Sequence, residues 1–292
     1  MHMTKPSSLA IHPMNTNIPG KVYLVGAGPG AVDLITVRGA KLLAQADIVF
    51  YDALVDARML ELCPQAEKIA VGKRCGKLSS AQQFINKRLV DAAQKHQIVV
   101  RLKGGDPMLF GRADEELSSL KQAGIAVEVV PGITAALAGA ASIQQSLTLR
   151  GVSRSVAFIT LAQASEDTEN VNPNQPISNP SADTLVYYMG RKDAAKIAQQ
   201  LIAQGKNHTQ DTPVQILEAV STSKERQWES NLGSLAQGKA DNWFDSNSPA
   251  LIMVGEALRS KQSTTTESQS FSTEIDDGLQ DGKILTNGRR RA

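Results

Sequence analysis

Several short segments combine glycine or proline with polar side chains in ways that suit ligand chemistry. Gly26-Ala-Gly-Pro-Gly-Ala31 follows the apolar run Lys21-Val-Tyr-Leu-Val25 and matches G-x-G-x-x-A, with Asp52 ending the next apolar run. In a dinucleotide fold such a turn cradles a pyrophosphate and the acid binds a ribose hydroxyl. Two features oppose that chemistry. Pro29 lacks the N–H a phosphate cradle offers, and Ala31 to Ile35 delay the helix whose N-terminus would face the phosphate. A plain strand-to-helix turn is the alternative. Val71-Gly-Lys-Arg74 sets two cations after a strand, as an exposed basic pair also would.

Arg101-Leu-Lys-Gly-Gly-Asp-Pro-Met-Leu-Phe-Gly-Arg112 is a rarer arrangement. It puts Gly104, Gly105 and Asp106 at a strand's C-terminal edge, where open α/β sheets bind ligands. The glycines allow close backbone approach, and Asp106 can accept hydrogen bonds from a ribose or an amine. Pro131-Gly-Ile-Thr-Ala135 repeats the strand–turn–helix pattern, with helical N–H groups and the Thr134 hydroxyl on offer. Tyr188-Met-Gly190 ends a later strand, with Met189 either core or ligand contact. The four histidines lack metal-ligand spacing, and no serine or cysteine nucleophile motif is present.

These segments need a scaffold, and the hydrophobic pattern supplies one. Apolar runs at 21–25, 47–51, 68–71, 98–102 and 127–130 read as strands, with helices over 36–46, about 80–96 and 113–123 between them. Ser80 and Gln83 fit a capping box opening the second helix. Alternation of this kind predicts a parallel, helix-covered sheet. Pro131-Gly132 marks the expected boundary between an N-terminal α/β domain over 20–131 and a C-terminal one over 132–259. The second begins with a helix at 134–142 and continues with strands at 156–160, 184–188, 214–217 and 250–254 and a helix at 193–203. A proline-containing polar stretch near 163–183 reads as a surface insertion. The polar stretches 1–19 and 260–292 read as disordered tails.

Composition narrows the class. The chain has 292 residues, 41% of them hydrophobic, enough for two ordinary cores. No run reaches the roughly 20 apolar residues of a membrane span, and the N-terminus does not read as a secretory signal. Lys and Arg number 31 and Asp and Glu 29, so a net charge of +2 makes no global case for nucleic acid. Two cysteines, Cys63 and Cys75, fit reduced thiols in a cytoplasm better than a disulfide framework.

Taken together, VYLVGAGPG, DLIT (33–36), YDALV (51–55), VGKR (71–74), RLKGGDP with FGR (101–112), PGITAAL (131–137), LTLRG (147–151) and YMG (188–190) resemble the uroporphyrinogen-III C-methyltransferases of the tetrapyrrole methylase superfamily. The resemblance runs from about Gly20 to Arg259. It implies two α/β domains with an interdomain cleft, usually in a homodimer, and two methyl transfers from S-adenosylmethionine to uroporphyrinogen III. The product would be precorrin-2, on the route to siroheme or corrinoids. It assigns cofactor contacts to Pro29, Gly104, Gly105, Asp106, Leu109, Thr134, Ala135 and Met189. It assigns the proton acceptor and donor to Asp52 and Lys73, Lys73 being equally suited to bind a substrate carboxylate. Arg38 and Arg112 lie in matched motifs and become partners for the substrate's carboxylates, while Arg101, Arg150 and Arg154 fit ordinary surface roles equally well.

The chain departs from the family pattern in places. Leu78 and Leu149 stand where histidines are usual, Gln144-Gln-Ser146 where Gly-Ile-Pro is usual, Ala219-Val220 where Asn-Gly is usual, and Met108 for a common Phe. Two other classes therefore stay open: a nicotinamide-dependent dehydrogenase, from the glycine motif, and a catalytically silent tetrapyrrole-binding homologue, from the lost histidines.

Overall fold

A computed structural model describes residues 19–72, 78–161, 180–205 and 207–260, the side chains of 78–81 excepted. Five strands, β1 (Lys21–Gly26), β2 (Ile48–Tyr51), β3 (Glu67–Ala70), β4 (Ile98–Lys103) and β5 (Val127–Val130), form a wholly parallel sheet in the order β3-β2-β4-β1-β5. Helices α1 (Val37–Leu43), α2 (Leu78–Ala93) and α3 (Ala113–Gln122) are the crossovers such a sheet requires. Successive strand residues alternate faces. Val22, Leu24, Ile48 and Phe50 therefore pack with Ile85 and Leu89 of α2 and Leu120 of α3. Val25, Val49, Val100 and Leu102 pack on the other face with Leu43 of α1 and with Met59 and Cys63. Burying a side chain of this size is worth about 1.5–3 kcal/mol, so each face is an extended core.

The second sheet is mixed. Strands β6 (Val156–Thr160), β7 (Thr184–Tyr188), β8 (Pro213–Glu218), β9 (Arg226–Asn231) and β10 (Ala250–Val254) lie in the order β6-β7-β10-β8-β9. Only β6 and β7 run parallel. One face packs on α5 (Ala194–Gln204) and α6 (Leu232–Ala236) through Ile197, Leu201, Leu232 and Leu235. The other packs on α4 (Ala135–Ser142), where Gly139 admits Leu217 so closely that an added Cβ would lie 2.7 Å from its Cδ1. The chain thus leaves the first sheet at Val130 and joins the second core from Ala135 onward.

Three sequence readings need correction. α2 already begins at Leu78, so Ser80 lies within its first turn and is not its N-cap. β9 and α6 have no counterpart in the apolar pattern; β9 (RQWESN) is a polar edge strand with little apolar alternation. Arg101 is buried rather than on the surface. The expectations for Lys73, the segment 162–179 and residues 261–292 lie outside the described residues.

Two local features have measurable consequences. α4 ends with Gln144 in the left-handed region at φ 56°, its N–H bonded to the Ala141 carbonyl at 3.1 Å. Glycine is the usual occupant of such a helix end, because a Cβ there costs about 1–2 kcal/mol. Gln144→Gly is expected to stabilise the fold by about 0.5–1 kcal/mol, net of glycine's added freedom in the unfolded chain, as read by chemical denaturation. His208 is buried, and its Nε2 has no hydrogen-bond partner among the described residues. Burial pushes its imidazole below the ordinary value, against the smaller opposing pull of Asp183 and Glu256. An unfolded histidine takes up a proton near pH 6.5 that the folded one resists. The stability His208 confers is therefore complete above about pH 6.5 and is lost as pH falls toward its folded value. Melting measured between pH 7 and pH 5, where carboxylates stay largely ionised, should fall less steeply in His208→Gln than in the parent.

Candidate active site

The site is built from three turns that leave the C-terminal ends of β1, β4 and β5. Gly28 and Gly105 exchange backbone hydrogen bonds, Gly28 N to Gly105 O at 3.1 Å and Gly105 N to Gly28 O at 2.7 Å. Ala27 N donates to Lys103 O at 2.8 Å. Gly132 closes the group from β5: a Cβ on it would lie 2.3 Å from Gly105 O, and a Cβ on Gly26 would lie 2.6 Å from Gly132 Cα. Backbone packs on backbone here, and only glycine permits it.

Asp106 ties two of these turns together. Its Oδ2 accepts from Gly132 N and its Oδ1 from Met108 N, both at 2.8 Å. The sequence reading offered this carboxylate to a ligand, and the fold also uses it as an internal strap. Asp52, at the end of β2, plays a similar part: Oδ1 accepts from Leu54 N at 3.0 Å and Oδ2 from Gly104 N at 3.3 Å. Its side chain remains one-quarter exposed. The first glycine turn also fails as a phosphate cradle. Gly28 N is committed to Gly105, and a short 3-10 turn at Val32–Leu34 separates the loop from α1, whose N-cap is Thr36.

The second sheet contributes the opposite side. Tyr188, ending β7, reaches the start of α4, where its hydroxyl lies 2.5 Å from Thr134 Oγ1 and accepts from Ala136 N at 3.2 Å. Burial raises the Tyr188 phenol above its ordinary value, opposed by these two hydrogen bonds, so it stays protonated at neutral pH. Its ring stands edge to face against Phe110 of the β4 loop and Phe158 of β6. Met189 follows in the left-handed region at φ 57° and is 55% exposed, which settles against its being core. The loop after β8 completes the side: Ala219 and Ser221 adopt φ 49° and 64°, and Ser221 Oγ accepts from Ala31 N at 3.3 Å. Gly30 fits under that loop, where a Cβ would lie 2.6 Å from Thr222 Cγ2.

The fold therefore places Asp52, Gly104, Gly105, Asp106 and Leu109 at the C-terminal edge of the first sheet, Pro29 in its first glycine turn and Thr134 and Ala135 at the start of α4, while Met189 follows Tyr188 at the end of β7 in the second sheet. Arg112 starts α3 at φ 54° in the same loop and donates to Glu115 at 2.6 and 2.8 Å. Arg38 is not brought in directly. It sits on α1, largely exposed, with Nη1 3.3 Å from Glu128 of β5. The sequence reading missed Tyr188 and the buried charges Arg101, Lys103 and Glu116 below Asp52. The alternation of Arg101 and Lys103 within an apolar strand was the available signal for the latter.

The family model described as Tetrapyrrole (Corrin/Porphyrin) Methylases matches residues 21–236. A uroporphyrinogen-III C-methyltransferase of Pseudomonas aeruginosa is 42% identical over 244 residues, covering 82% of this chain and 95% of that protein. A siroheme synthase of Pseudomonas fluorescens is 44% identical over 241 residues, 82% of this chain but 50% of that protein, so the chain spans about half the length of the siroheme synthases it matches. Among solved structures, a uroporphyrin-III C-methyltransferase of Thermus thermophilus complexed with S-adenosylhomocysteine superposes with a TM-score of 0.66 at 37% identity, covering 82% of this chain and 94% of that one. The family match runs unbroken from β1 to α6, and this chain belongs to the tetrapyrrole (corrin/porphyrin) methylases.

Proposed function

We propose that this protein is an enzyme that methylates uroporphyrinogen III twice with S-adenosylmethionine, yielding precorrin-2 for siroheme or corrinoid synthesis. The observation that carries the proposal is the 42% identity to a uroporphyrinogen-III C-methyltransferase matched over nearly its whole length. The geometry supports it. Gly104 and Gly105 carry no side chain over the sheet edge, Thr134 sits at a helix N-terminus, and Met189 is exposed at the end of β7. Such a surface fits a flat adenosine with a polar amino-acid tail. In this reading Pro29, Gly104, Gly105, Asp106, Leu109, Thr134, Ala135 and Met189 hold the cofactor. The 20–131 and 132–259 segments act as its two domains, and a cytoplasmic homodimer is the working form.

When bound, S-adenosylmethionine supplies an electrophilic sulfonium methyl. The work of the protein is then positioning and proton management. Holding two reactants in near-attack geometry is worth about 7–11 kcal/mol, and the glycine-packed turns provide a floor that does not yield. Asp52 takes the proton that the macrocycle releases after methylation; its carboxylate is held by two backbone N–H groups yet remains open to solvent. Lys73 acts as the proton donor or binds a substrate carboxylate. Arg112 meets another carboxylate from within the Asp106 loop. Arg38, largely exposed with Nη1 on Glu128, has further guanidinium N–H groups to offer a carboxylate.

Radiolabelled methyl transfer to uroporphyrinogen III is the direct test, and no transfer to that substrate would end the proposal. Asp106→Ala should weaken S-adenosylhomocysteine binding by about 1–3 kcal/mol, the scale for losing a hydrogen bond to a charged group. Calorimetry on a variant with native circular dichroism checks it, and unchanged affinity would remove Asp106 from the site. Asp52→Asn keeps one acceptor oxygen but cannot take a proton at neutral pH. It is expected to bind S-adenosylhomocysteine normally and lose about 100- to 10,000-fold in single-turnover methylation. Weakened cofactor binding with preserved turnover would instead make Asp52 a ribose ligand.

A further inference from the structure

Beneath Asp52 lies a cluster of charges that the proposed chemistry has not used. Arg101 and Lys103 stand two residues apart on β4 and so point to the same face. Both are almost fully buried, and both end on Glu116 of α3, which is itself 0% exposed. Arg101 Nε lies 3.1 Å from Glu116 Oε1 and Lys103 Nζ 3.0 Å from Oε2, so each carboxylate oxygen is claimed by one cation. The other end of the Arg101 guanidinium turns toward the site, with Nη2 3.7 Å from Asp52 Oδ2. From α2, Gln82 Nε2 lies 3.4 Å from Glu116 Oε1 and 3.0 Å from Asn86 Oδ1, and the Arg88 guanidinium stands over the ring of Phe50, which is registered against Arg101. Two cations thus face one buried carboxylate and one partly exposed carboxylate, and the four formal charges cancel.

That balance has a consequence for Asp52. With Glu116 ionised, one of the two positive charges is spent below, and one is left to act on Asp52. Without the Glu116 charge, Asp52 would be the only carboxylate against Arg101 among the described residues, and Lys103 would lose its ion-pair partner. Without Lys103, Glu116 would draw on Arg101 alone, in competition with Asp52. Burial and the adjoining Arg101 lower the Lys103 ammonium below its ordinary value, opposed by Glu116 and Asp52, so the cluster is sensitive to each member.

We propose that Glu116 is a positioning residue for methyl transfer: it anchors Arg101 and Lys103 and so holds the Arg101 guanidinium against Asp52. The inference rests on Asp52 being the proton acceptor.

The test follows the acid limb of kcat/KM for uroporphyrinogen III methylation in Glu116→Gln, Lys103→Met, their double variant and Asp52→Asn. Removing a nearby positive charge moves a carboxylate's titration to higher pH, and removing a nearby negative charge moves it to lower pH. Glu116→Gln is expected to move the limb to lower pH by about 1, and Lys103→Met to move it to higher pH by a similar amount. The double variant removes one charge of each sign, so the limb should return to the parent position. S-adenosylhomocysteine affinity by calorimetry should be unchanged throughout. The double variant should also melt above Glu116→Gln, because it no longer leaves a buried cation without a partner. If Glu116→Gln does not fold, Lys103→Met and the double variant still decide the matter. A limb that stays put in Lys103→Met, or that the double variant fails to restore, overturns the inference while leaving the Asp52 assignment standing. A limb that survives in Asp52→Asn overturns the assignment itself, and the inference with it.

Discussion

The contact of Gly26, Gly105 and Gly132 is the constraint on which the rest of the structure depends. Three strand ends meet there with no side chains between them, and a single Cβ on Gly132 would fall 2.3 Å from a carbonyl oxygen. Because β1 lies between β4 and β5, its turn can touch both neighbours at once. The resulting floor is made of peptide groups bonded to each other, and their donors are consequently unavailable for a phosphate. Asp106 and Asp52 reinforce it by accepting from the backbone of neighbouring turns. The same residues that look like ligand contacts are therefore also the fasteners of the surface they belong to.

The second sheet meets this floor through specific linkages. Tyr188 spans from β7 to the start of α4, and the Ser221 loop receives Gly30 and Ala31. Non-glycine residues at positive φ concentrate in these loops, at Phe110, Arg112, Met189, Ala219 and Ser221. Such conformations cost on the order of 1–3 kcal/mol each and persist where surrounding contacts over-determine them. The lining of the site is held in shape at a cost that the two cores beneath it offset.

Much of this was legible in the sequence. Most of the strands announce themselves as short, largely apolar runs, because a strand covered on both faces needs apolar residues at consecutive positions; β3 (EKIA), an exposed edge strand, carries that signal only weakly. The turns after β1, β4 and β5 are marked by glycine, and the resemblance supplied their common purpose. What remained hidden has physical causes. β9 is an edge strand whose pairing with β8 compensates for its polar composition. The Ser80 capping pattern satisfies a local rule that the helix, extending further back, overrides. The Thr134–Tyr188 hydrogen bond joins residues 54 positions apart, and the Arg101–Glu116 pair depends on α3 crossing the face of β4. No local periodicity encodes a meeting of that kind.

The position of β1 at the centre of the first sheet also matters while the chain is being made. Among the described residues β1 is the first strand synthesised, yet both of its partners come late: β4 ends at Lys103 and β5 at Val130. At about 5–20 residues per second, ribosomes need roughly 4–15 s to pass from the end of β1 to the end of β4. Throughout that interval an apolar strand with two open edges has nothing to pair with. β2 and β3 can pair with each other, but β2 too awaits β4. Nascent-chain quality control, and not only the finished fold, thus has reason to recognise the segment Lys21–Gly26.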